Sequence, residues 1–181
     1  GITHFKGLKT ITFCEGALQD FSGLVIVIYA LLFLKTSLEV GFFLGYLGLV
    51  GFVIAILLSI RSDKTQKRKR QIFILFLLMA LSIIGLSLAK NSAAWYVAVG
   101  FFTIIHTCSS PLRLAISLDV RKADMSFWKT REFFLNIGRM TTLGIATIFF
   151  VFELYWGVFA LFGIIAFVYP FLVSHKLKDV K

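Results

Sequence analysis

Six apolar stretches separated by short polar breaks organise this chain. Residues 41–60 and 71–89 contain no charged side chain, and they flank the decapeptide RSDKTQKRKR at 61–70. A helix rising 1.5 Å per residue needs ~20 such residues to cross a hydrocarbon core of ~30 Å. Barrel strands are shorter and alternate in polarity, so helices that satisfy their own backbone groups are expected. The pattern predicts spans at about 8–34, 39–60, 71–89, 94–118, 132–152 and 155–174. Together they form one all-α, six-helix transmembrane domain over residues 1–181, with 61–70 as its basic loop. The first, third and fifth connections are so short that the helices they join must be antiparallel neighbours. The longer connection at 119–131 mixes Met125, Phe127 and Trp128 with Arg121, Lys122 and Lys129. That mixture suits a segment lying on lipid headgroups.

Composition agrees with a bilayer as solvent: 59% of residues are hydrophobic and 15% charged, far from a soluble balance. A net charge of +10 would invite a nucleic-acid reading if it were gathered on a polar domain, but no such domain lies outside the spans. The cations instead sort by side. Fifteen of the 19 Lys and Arg residues fall on one side of the predicted helices, Lys35 and Lys90 fall on the other, and Arg113 and Arg139 lie within spans. By the positive-inside rule both termini are expected in the cytoplasm, with the protein in a plasma or bacterial inner membrane and the lipid bilayer as its first partner. Trp95, Tyr96, Tyr155 and Trp156 then fall at the outer interface, as an aromatic belt. The chain begins with Gly1 and carries no signal peptide, so a processed, engineered or partial chain is expected. Cys14 and Cys108 both fall inside spans and read as small hydrophobes; no disulfide, metal site or cofactor is expected.

Ionisable side chains are rare within the spans, and each costs at least ~2.5 kcal/mol at mid-bilayer, so they should face a partner or a cavity. Glu15, Gln19 and Ser22 share one face of the first helix, with Asp20 beside it. Thr103, His106, Ser110, Arg113 and Ser117 share a face of the fourth, and Glu132, Asn136 and Arg139 a face of the fifth. Three polar stripes on three helices can line one aqueous path, leaving the third and sixth helices outermost. Glu15 stands either at the inner headgroups or in that path. Arg113 and Arg139 either snorkel to the cytoplasmic interface or face inward. His106 either bonds a neighbouring helix or handles protons or solute. Asp20 is the hardest to assign to structure alone. Gly41, Gly45, Gly48 and Gly51 form a small-residue face that lets another helix approach, and Pro111 should kink the fourth helix. Signatures such as HExxH, CxxC, GxSxG or a phosphate-binding glycine loop are absent. An enzyme is not expected; Glu132, Asn136 and Arg139 are the sole cluster that would suit one.

The stretch SIRSDKTQKRK at 59–69 resembles the loop motif G-x-L-x-D-R-x-G-R-R/K of the major facilitator superfamily. Asp63 matches its acidic position, Lys64 the basic residue after it, and Lys67 and Arg68 the basic pair, whereas Ser59, Arg61 and Gln66 depart from it. REFFLNIGR at 131–139 and CEGALQDF at 14–21 are similar to segments of some bacterial members. The resemblance implies one six-helix half, of C-terminal type, of a twelve-helix carrier, built as a 3+3 inverted repeat. It implies alternating access of a small solute, often coupled to protons, along helices 1, 2, 4 and 5. Glu15, Gln19, Asp20, His106, Asn136 and Arg139 become candidates for the solute or proton path, and Arg113 and Glu132 charges at its cytoplasmic end. Asp63, with Lys64, Lys67 and Arg68, would act at a gate, and the other half would be the missing partner. Two further readings stay open: a self-contained six-helix protein working as a homodimeric carrier or channel, and a scaffold without transport.

Overall fold

The computed structural model describes residues 7–60, 68–120 and 124–176, and the described residues are helical but for short connections. Six helices are long and apolar enough to cross a membrane: α1 (Leu8–Ala30), α2 (Ser37–Leu58), α3 (Arg70–Ser87), α4 (Ser92–Leu118), α5 (Met125–Val151) and α6 (Tyr155–His175). Six such spans suggest a multi-pass membrane protein. Asp63, Lys64 and Lys67 lie outside the described residues, and Arg68 opens the helical turn that leads into α3.

Local chemistry sets the helix starts. Thr36 and Glu39 form a capping box: the Glu39 amide donates to Thr36 Oγ1 at 3.2 Å, and Glu39 Oε2 accepts from the Thr36 amide at 3.2 Å. This moves the start of α2 to Ser37, two residues before the position that hydropathy marks. Asn91 Oδ1 accepts from the Ala94 amide at 2.8 Å at the head of α4. Asp124 Oδ1 accepts from the Phe127 amide at 2.6 Å. That cap draws residues 125–131 into α5, so Met125, Phe127 and Trp128 form its first turns and not a separate interfacial segment. Replacing Asp124 by alanine is expected to lower stability by about 1 kcal/mol, read from the thermal midpoint of the purified protein.

One helix departs from regular form. After Asp20, α1 passes through a π-helical turn at Phe21–Val25 before resuming α geometry at Ile26–Ala30. Ser22 Oγ donates to the Gln19 carbonyl at 2.7 Å across the junction.

Helices α1 and α5 run along each other, α3 packs on α6 and α4, α2 chiefly on α4, and α1 also on α6. The α1–α5 seam is close enough that a Cβ at Gly16 would overlap the Leu135 carbonyl, and one at Gly138 the Phe13 carbonyl. By contrast, nothing among the described residues lies within 4 Å of a Cβ built at Gly41, Gly45 or Gly48, and one at Gly51 meets only Thr107 Oγ1 at 4.0 Å. The core is aromatic. Phe21 packs edge-on to Phe102 and Phe159 and against Phe162, and Tyr29 meets Trp95, Tyr155 and Phe159. Trp95 is fully buried and stacked on Phe33, a core residue, whereas Trp156 is 70% exposed as a belt residue would be.

Candidate polar cleft between helices 1, 4 and 5

The polar stripes of α1, α4 and α5 converge on an open cleft of ≈ 390 Å³ in the half of the bundle where α1 and α5 begin and α4 ends. Glu15, Gln19, Ser110, Arg113, Arg131, Glu132 and Arg139 line it together with Pro111, Leu114, Trp128 and Leu135. Each wall is positioned by packing already described. The glycine seam sets α1 and α5 so close that Glu15 and Gln19 on one helix reach Arg131 and Arg139 on the other.

Glu15 is the best-connected group. It is buried, its Oε2 accepts from Arg131 Nη2 at 2.8 Å, and its Oε1 accepts from the Tyr169 hydroxyl at 2.8 Å. Tyr169 is itself held by stacking on Phe76, with ring centroids 4.0 Å apart and planes 12° apart. Helix α6 is therefore not merely outermost: it supplies the hydroxyl that completes the Glu15 shell. Glu15 faces this shell inside the bundle.

Arg139 gathers the α1 and α5 stripes. Its Nη2 donates to Gln19 Oε1 and its Nη1 to Asn136 Oδ1 at 3.1 Å, while its Nε lies 3.8 Å from Asp20 Oδ1. Asp20 is thus half-buried beside Arg139, at the π turn. Arg113 is buried and does not snorkel: its Nη2 lies 3.2 Å from His106 Nε2, seven residues or about two turns back along α4. His106 bonds its own helix, and its ring stacks on Phe102 at 5.7 Å. Thr103 and Ser117 turn their hydroxyls to the Val99 and Arg113 carbonyls, so these two members of the α4 stripe are spent on the helix itself. Glu132 is exposed at the rim, 3.8 Å from Arg131.

Sequence reasoning missed two partners. Arg131 was counted among the loop cations because the fifth span was placed one residue later, and Tyr169 sat in a helix without ionisable residues. The signal for Tyr169 was present: a hydroxyl-bearing ring deep in an apolar helix needs an acceptor. No family model, curated protein or solved structure matches the chain. The chemistry of the cleft has to be judged from its own side chains. Among the described residues no three His, Cys, Asp or Glu side chains gather as a metal site, and Cys14 and Cys108 are free thiols. What the arrangement offers is three guanidinium groups, two carboxylates, an amide and a hydroxyl around an open space of ≈ 390 Å³. Donors and acceptors of this kind can bind and orient a polar solute.

Proposed function

We propose that this chain is one six-helix half of a secondary transporter of the major facilitator type, moving a small solute by alternating access, rather than an enzyme. The cleft carries the reading: three helices place charged and amide side chains, with Glu15 and Arg113 buried among them, around an open space inside a bundle that is otherwise aromatic and aliphatic. Burying such groups is unfavourable unless they serve a polar path.

The helix pairing supports the 3+3 inverted repeat. Exchanging α1 with α4, α2 with α5 and α3 with α6 turns the α1–α5 packing into α4–α2 and the α3–α4 packing into α6–α1, and returns α3–α6 to itself. Only the α5–α6 packing lacks its counterpart among the principal ones. The cleft is open on one side, and α2 leaves Leu38, Phe42, Leu49 and Phe52 uncovered. A second six-helix half would supply the missing wall. The sidedness of Lys and Arg puts the cleft's mouth and both ends of this chain on the cytoplasmic side. Proton coupling is compatible with Glu15 and Asp20 and is not required by them.

Labelling tests this. In membranes of cells producing the protein, Ser110→Cys in a background with Cys14→Ala and Cys108→Ala is expected to react with a membrane-impermeant maleimide from the cytoplasmic side. It should also react, more slowly, from the outside, because alternating access exposes the cleft to each side in turn. Reaction from one side only, at every temperature and solute condition, would point to a scaffold and sink the carrier reading.

A further inference from the structure

We propose that the solute taken by this cleft is a small anion, bound through a carboxylate or phosphate group by Arg113 and Arg139. This rests on the carrier reading and names the solute class for the same cleft.

The decisive observation is how the three guanidinium groups are partnered. Glu15 has spent both oxygens, one on Arg131 and one on Tyr169. Arg113 is 6% exposed, and among the described residues no carboxylate lies in ion-pair reach of it. Its one hydrogen-bond contact is His106 Nε2, which must accept because a guanidinium only donates, so the imidazole beside it contributes no negative charge. Its Nε is buried without an acceptor. Arg139 differs: it bonds two neutral amides, Gln19 and Asn136, and its Nε, which has no hydrogen-bond partner, is ion-paired with Asp20 at 3.8 Å.

An arginine stays charged wherever it is buried, so Arg113, held by a neutral acceptor in an apolar bundle, lacks a counter-ion in contact, and Arg139 beside it has one hydrogen-bond donor to spare. The Nε of Arg131 is unfilled as well, and all three such donors belong to residues lining the same space of ≈ 390 Å³. A carboxylate or phosphate accepts from guanidinium groups in the planar geometry they present. A cationic solute would meet three arginines, and a neutral one would leave the charge uncompensated. The anion has two sources: a free solute, or the headgroup of an anionic lipid entering where α1 and α5 begin.

The test uses the full chain in nanodiscs of phosphatidylcholine, titrated with inorganic phosphate, succinate or choline, with the thermal midpoint as readout. A second preparation adds phosphatidylglycerol. Phosphate or succinate is expected to raise the midpoint by several degrees and choline to leave it unchanged. Ser110→Asp, which adds a negative charge to the wall without touching an arginine, should abolish the shift, and Ser110→Lys should enlarge it. Arg113→Gln should weaken binding at least tenfold; if that variant does not fold, the Ser110 pair still decides. A shift produced by phosphatidylglycerol alone, and abolished by Ser110→Asp, identifies the anion as a headgroup. No shift with any anion, an equal shift with choline, or a shift indifferent to Ser110→Asp overturns the inference. Two-sided labelling of Ser110→Cys without an anion effect keeps the carrier and removes the anion; an anion effect with one-sided labelling does the reverse.

Discussion

Gly138→Leu is expected to destroy the α1–α5 seam. Even a single added carbon at Gly138 would sit inside the Phe13 carbonyl, and the obstruction is backbone on a facing helix, which no rotamer change relieves. Gly16 meets the Leu135 carbonyl in the same way, so the two glycines secure one contact from both sides. Forcing the helices apart separates every side chain that depends on their spacing, including Glu15 with Arg131 and Gln19 with Arg139. Overpacking of this kind costs about 3 kcal/mol or more. For a chain of this size that lowers the thermal midpoint by about 6–12 °C. Gly45→Leu is the matched control: it adds the same side chain to open space on α2 and should move the midpoint by no more than about 1 °C. Fluorescence-detected gel filtration after a heating series reads both. Equal losses in the two variants would show that leucine in any helix, and not the seam, is responsible.

Glu15→Leu carries the second large effect. It removes the acid that accepts from Arg131 at 2.8 Å and, among the described residues, the acceptor of the Tyr169 hydroxyl. Breaking a buried pair by removing one member typically costs about 3–5 kcal/mol, since the other member is left charged and unpaired. Replacing both members by apolar groups is far milder, so the double variant Glu15→Leu with Arg131→Met should recover most of the loss. Chemical unfolding in detergent, run as a double-mutant cycle, measures the recovery. Additive losses would mean that Glu15 and Arg131 act independently and that the 2.8 Å contact contributes little.

Much of the architecture was legible from hydropathy, because a bilayer-spanning helix announces itself over ~20 residues without help from its neighbours. The start of α2 was legible too, in the T-x-x-E spacing of Thr36 and Glu39, yet hydropathy alone overrides such a cap by giving polar residues to the loop. The start of α5 was lost for the same reason, since residues 125–131 look interfacial until Asp124 is seen to cap them. In the cleft, the stripes on α1, α4 and α5 were visible as faces, but which stripe meets which was not. Periodicity fixes the angle of a residue on its own helix and says nothing of the helix opposite. Hence Arg113 pairing within α4, and Tyr169 reaching Glu15 from α6, emerged only in three dimensions. The glycines teach the same lesson from the other direction. The obvious run on α2 meets nothing among the described residues at Gly41, Gly45 and Gly48, while two isolated glycines on different helices, Gly16 and Gly138, let backbone approach backbone.

The π turn at Phe21–Val25 has a consequence for how α1 can respond to change. A turn with one extra residue offsets everything beyond it by about 100° around the axis relative to a continuous α-helix. The first half of α1 aims Glu15 and Gln19 at α5, and the second aims Tyr29 at Trp95 and Phe159. The two aims are thus set separately, joined by a segment whose hydrogen-bond ladder is already out of step. Winding or unwinding that single offset would swing the aromatic half about the polar half without stretching either, a rotary adjustment available to α1 and to none of the other helices among the described residues.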